Sequence, residues 1–111
     1  MASRQTTVDY IVEQASGAGG VTARKMFGEY ALYCGDRLVG LICNDRLFVK
    51  PTAEGRAFFG PAEEAPPYPS AKPCLVIPPD TWDDSERLST LVKLTAAHVP
   101  APKPKRPRTS R

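Results

Sequence analysis

The chain has 111 residues, 41% hydrophobic and 24% charged, which is enough for one domain around one modest core and too little for a second site-bearing lobe. Its net charge of +3 is uneven: residues 1–99 carry ten Lys/Arg against twelve Asp/Glu, whereas residues 100–111 carry five cations and no acid. No apolar run approaches the ~20 residues that span a bilayer, and the start MASRQTTVDY lacks an apolar signal core, so the expectation is a cytoplasmic protein without membrane association.

In chain order, Ser3–Ser16 predicts an amphipathic helix, with Val8, Ile11, Val12 and Ala15 on one face and Ser3 or Thr6 as its cap. Gly17 and the AGG run stop it. Val21–Phe27 then begins a strand, and Gly28-Glu29 turns the chain into three β-forming runs, Tyr30–Cys34, Arg37–Cys43 and Arg46–Lys50. The links between these runs, Gly35-Asp36 and Asn44-Asp45, are two residues each and tolerate positive φ, so they predict type II′ and type I′ hairpins and an antiparallel meander.

Simple two-residue hairpins place Cys34 opposite Arg37, Ala31 opposite Gly40, Cys43 opposite Arg46 and Gly40 opposite Val49. One face then carries Ala31, Tyr33, Leu38, Gly40, Ile42, Leu47 and Val49 without a charge. That face is expected under the helices, with Ala31 and Gly40 leaving room for a helix backbone. The opposite, mixed face carries Tyr30, Leu32, Val39, Leu41 and Phe48, with Cys34, Cys43, Arg37, Arg46 and Lys50 toward its rim. Aromatic and aliphatic anchors ringed by cations are the anatomy of an interface, so this face is the expected partner-binding surface. The alternative is that the proline-rich loop around Tyr68 folds back and closes the face as a second small core.

After Pro51, TAEGRAFF predicts one or two helical turns weakened by Gly55. Five prolines between Gly60 and Pro73 predict a connecting loop with Tyr68 as its anchor. Cys74–Ile77 reads as a short edge strand. Ser85–His98 is the last helix, capped by Asp83 or Asp84, with Leu88, Leu91, Val92 and Val99 as its stripe. Residues 100–111, PAPKPKRPRTSR, have the composition of an extended, disordered tail.

Candidate chemistry is thin. Cys34, Cys43 and Cys74 are too few for a disulfide scaffold or zinc cluster and are expected to be free thiols. His98 sits at a helix end, where the dipole favours a cation and no nucleophile is at hand. Asp83, Asp84 and Glu86 are explained by helix capping. No glycine-rich loop leads from a strand into a helix, so no nucleotide, metal or other cofactor is expected. Arg24, Lys25, Arg37, Arg46 and Lys50 with Tyr30 and Phe48 invite comparison with a nucleic-acid platform, but the folded body is net acidic.

The segment VTARKMFGEYALYCGDRLVGLICNDRLFVK resembles the TfoX N-terminal domain family, the domain of the TfoX/Sxy regulators of bacterial competence. Arg24, Met26-Phe27-Gly28, Tyr30, Leu32, Tyr33, Leu41-Ile42, Asp45-Arg46-Leu47 and Lys50 carry the likeness, supported by Tyr68-Pro69, Pro78 and Asp83-Asp84. The resemblance implies a regulatory α+β domain with no catalytic residues.

The expectation is thus a single α+β domain over residues 1–99: an antiparallel sheet of four or five strands with N- and C-terminal helices, followed by the tail. Its expected role is a non-enzymatic regulatory or protein-interaction module, partnered by transcription machinery or by a second copy of itself. The alternative is a small nucleic-acid-associated protein that binds non-specifically through Lys103, Lys105, Arg106, Arg108 and Arg111.

Overall fold

The computed structural model describes residues 3–26 and 28–99. Helix α1 (Gln5–Gln14) and a 3-10 turn (Ser16–Ala18) lead into strands β1 (Val21–Met26), β2 (Glu29–Cys34), β3 (Arg37–Cys43) and β4 (Arg46–Val49). Helix α2 (Ala53–Phe59), strand β5 (Glu64–Ala65), strand β6 (Cys74–Ile77), helix α3 (Pro79–Trp82) and helix α4 (Ser85–His98) follow. Phe27, expected to end the first strand, and the whole basic tail lie outside the described residues.

The sheet is antiparallel with the order β1-β2-β3-β4-β6-β5, so the protein is α+β, with six strands where four or five were expected. The extra strand comes from inside the proline-rich segment. Two residues free of proline, Glu64 and Ala65, pair with Leu75 and Cys74, and the Val76 N–H donates to the Glu63 carbonyl at 2.8 Å. Cys74–Ile77 is therefore an interior strand, buried along its whole length, and not the edge.

Both hairpin turns have the backbone that their residues favour. Asn44 and Asp45 have φ of +54° and +58°, a type I′ signature, and Gly35 is left-handed at +64°. The register between β2 and β3 departs from the simple count. Cys34 faces Arg37 and Tyr33 faces Leu38, but Leu32 then faces Gly40, leaving Val39 as a β-bulge. Beyond the bulge Ala31 faces Leu41 and Tyr30 faces Ile42, each one residue further than predicted.

A one-residue slip turns a strand over. Tyr30, Leu32 and Cys34 therefore point to the helices, together with Val39, Ile42, Leu47, Val49, Leu75 and Ile77, while Ala31 and Tyr33 share the other face with Leu38 and Leu41. Into the helical side pack Val8, Ile11 and Ala15 at α1, Phe59 of α2, Trp82 of α3, and Leu88, Leu91 and Val92 of α4. The expected stripes of the two long helices are present, with Val12 only partly buried.

The caps sort differently from expectation at the N-terminus. Arg4, with no side-chain cap, precedes α1, and the buried Ser3 hydroxyl instead accepts from the Asp45 N–H at 2.9 Å. Asp84 caps α4 by accepting from the Arg87 N–H at 3.1 Å. Gly55 serves a close approach: a β-carbon there would meet Thr52 Oγ1 at 2.9 Å, so the glycine makes room for the hydroxyl that caps α2, with Leu91 of α4 at an ordinary 3.5 Å.

Candidate functional site

The sheet face away from the helices holds Met26, Glu29, Leu38, Leu41, Cys43, Arg46, Phe48, Lys50, Cys74 and Val76, and the chain between β5 and β6 crosses it. Of the predicted partner-binding residues, Leu41, Phe48, Arg46 and Lys50 are on this face. Tyr30, Leu32 and Val39 are not. They lie in the main core because of the bulge, and Leu32 and Val39 have no exposed surface.

Arg37 is likewise turned to the helical side. Its guanidinium donates to the carbonyls of Ala96 at 3.0 Å and Val99 at 3.1 Å, satisfying the end of α4. The cations and aromatics of the supposed nucleic-acid platform are split in the same way. Arg24 lies 5.2 Å over the Tyr33 ring and Arg46 5.3 Å over the Phe48 ring, while Tyr30 belongs to the core and donates from its hydroxyl to Gln5.

This face is closed at its centre and open around it. Phe48 and Val76, with Cys43 and Cys74, form a small second core flanked by Leu41 and Ala65, so the centre of the face is closed. Around it the loop leaves open space. Two cavities, of about 580 and 550 Å³, share Met26, Leu41, Pro67 and Tyr68 in their walls and are lobes of one groove between loop and sheet. Tyr68 remains 43% exposed on the loop above it.

The charged groups around the groove are unequally engaged. Glu29 accepts from the backbone N–H of Ser3 with one oxygen and of Asn44 with the other, both at 2.8 Å, tying the N-terminus to the β3–β4 turn. Glu54 faces His98 Nδ1 at 3.6 Å, bridging α2 and α4 at the other lobe. Arg46 lies 3.9 Å from Glu63. Among the described residues no ion pair takes up Lys50 or Lys72.

All three cysteines are free and buried. Burial, the nearby Glu29 carboxylate and Cys74 push the Cys43 thiol up to about 11, and burial raises Cys34 and Cys74 as well. These thiols are inert packing groups at neutral pH. Among the described residues no cluster of three or more His, Cys, Asp or Glu is arranged to hold a metal ion; Asp84 caps α4 and Asp83 accepts from the Tyr10 hydroxyl. No helix among them is long and apolar enough to cross a membrane.

A model of the TfoX N-terminal domain matches residues 13–99, which takes in all six strands and every helix after α1. The chain belongs to the TfoX N-terminal domain family. It is also similar to a protein of Spirochaeta aurantia described as an "Uncharacterized 12.7 kDa protein in trpE 5'region", 40% identical over 109 residues, which are 98% of this chain and 94% of the relative. Within this TfoX N-terminal domain, sequence reasoning missed Met26, Leu38, Pro67 and Lys72 as groove residues, while Tyr68 was expected as the anchor of the loop over this face. The alternation of β1 and the proline run carried that signal only once the bulge was known.

Proposed function

We propose that this TfoX N-terminal domain is a non-enzymatic regulatory or protein-interaction module, of the kind that serves in transcriptional control of DNA-uptake genes. Family membership supports the class, and the half-buried apolar residues Met26, Leu38 and Leu41 beside Arg46 and Lys50 support the surface. A face so composed is an interface in waiting. Of the acids and thiols beside it, Glu29 is held by two backbone amides, Glu54 faces His98 and Cys43 is buried, which suits contact with a partner rather than proton transfer.

The test is a partner capture from the source cell, with sedimentation of the purified protein to read self-association. Leu41→Lys is expected to abolish whichever association the wild type shows while the thermal transition is retained. Association unchanged in Leu41→Lys overturns this surface. Phe48, only 3% exposed, is the wrong residue for the purpose, because its replacement opens a core.

The split of charge favours one second reading, weak binding of nucleic acid through residues 100–111. Five cations give at most about five phosphate contacts and a salt slope no steeper than about −0.9 per contact on duplex DNA. Tail-deleted protein should then lose that binding and keep the captured partner. Sequence-selective binding by residues 1–99 alone would instead make the body the nucleic-acid reader.

A further inference from the structure

The two lobes of the groove differ in a way that selects a ligand. At the Cys43 end the walls are Met26, Leu41, Pro67, Tyr68 and Pro69, and the acid there, Glu29, has both oxygens occupied by backbone N–H groups. At the other end stand Lys50 and Lys72, neither with an acidic partner among the described residues, while the acid beside them, Glu54, faces His98. Cys43 is level with Arg46, and Lys50, just past the end of β4, lies four residues beyond Arg46, so the apolar end and the cationic end are ~13 Å apart at ~3.3 Å per residue.

We propose that this groove binds a free medium-chain aliphatic carboxylate, its carboxylate between Lys50 and Lys72 and its chain across Met26 and Leu41 beneath the loop. The match is one of charge placement. A groove that is apolar along its length and cationic at one end fits a molecule that is apolar along its length and anionic at one end. A bare anion would leave the Cys43 lobe empty, and a cationic amphiphile would meet two lysines against the single carboxylate of Glu54. Each lobe has the volume of an ordinary small-ligand site. Occupancy would also bury Met26 and Leu41, which are otherwise half-open to water.

Sodium decanoate below its micellar concentration, titrated into the full chain by calorimetry and by amide chemical shifts, tests this. Saturable one-to-one binding is expected, with shifts at Met26, Leu41, Lys50 and Tyr68. Acetate and decyltrimethylammonium should give none. The double variant Lys50→Gln and Lys72→Gln, both at the rim and outside the core, should weaken decanoate by about tenfold or more. Leu41→Glu should abolish binding with the thermal transition intact.

Equal binding of decyltrimethylammonium, unchanged affinity in the double lysine variant, or binding to phosphatidylglycerol vesicles but not to monomeric decanoate overturns the proposal. None of these outcomes touches the interaction-module reading, which is decided by partner capture and self-association.

Discussion

Leu32 of β2 lies opposite Gly40 of β3, one residue beyond the partner that the two-residue Gly35-Asp36 link would give it. A β-carbon on Gly40 would come 2.3 Å from the Phe48 carbonyl oxygen and 3.2 Å from the Val49 Cα. The room at Gly40 is therefore taken by the neighbouring strand β4 and not, as the sequence suggested, by a helix.

Gly40→Ala should accordingly destabilise the protein by about 2 kcal/mol, since backbone rather than a flexible side chain must move. Urea denaturation reads it as a lower midpoint at unchanged slope. A midpoint equal to wild type would mean that β3 and β4 separate without cost.

That one bulge explains what was and was not legible beforehand. Apart from β5 and α3, strand and helix positions followed from local signals: Asn44-Asp45 and Gly35-Asp36 for the turns, Asp84 before Leu88, Leu91 and Val92 for the last helix. The split of β4, Leu47 and Val49 inward and Phe48 outward, was also right, because its turn and pairing are regular. Everything on β2 was inverted, since a bulge at Val39 has no local sequence mark and shifts every later pair by one. The loop's passage over the second face is equally non-local. It depends on Glu64-Ala65 finding β6, a pairing of only two residues amid prolines.

Arg37→Met should lower stability by about 1–2 kcal/mol, because the Ala96 and Val99 carbonyls at the end of α4 lose a charged donor. The expected fall in Tm is roughly 5 °C or more. Arg37→Lys should recover part of it. A loss that appears instead in partner binding, with Tm unchanged, would restore Arg37 to the contact surface.

Asp45 predicts an acid-side effect. The Arg4 backbone N–H, then the Thr7 hydroxyl and the Arg4 charge, hold its carboxyl below the usual carboxylate value, so the folded state favours the ionised form. This contribution is complete above the unfolded carboxyl value of about 3.9 and is lost as pH falls through the lower folded value. Asp45→Asn keeps a residue suited to the positive φ of the turn and removes the charge. The stability gap between wild type and variant, followed by urea midpoints, should be widest near neutral pH and close as pH drops below about 4. A gap independent of pH would assign the effect to geometry alone.

Cys43 should be the slowest of the thiols to react. Its side chain faces the second core, with 6% of the residue exposed, and burial leads the causes that push its thiol to about 11, followed by the Glu29 carboxylate and Cys74. A free cysteine titrates near 8.5, so at pH 8 the thiolate of Cys43 is scarcer on the order of 100-fold, before any loss of access is counted. Native protein treated with iodoacetamide and mapped by mass should therefore carry little label at Cys43, while unfolded, unreduced protein should yield three alkylated cysteines. Because Glu29 disfavours the thiolate, Glu29→Gln should raise the native rate at Cys43, and the same change should leave Cys34, which sits against the Ala18 and Gly19 carbonyls, as it was. Rapid labelling of Cys43 in the wild type would show that the proline-rich loop lifts from the sheet, and that the second core opens on the timescale of the reagent.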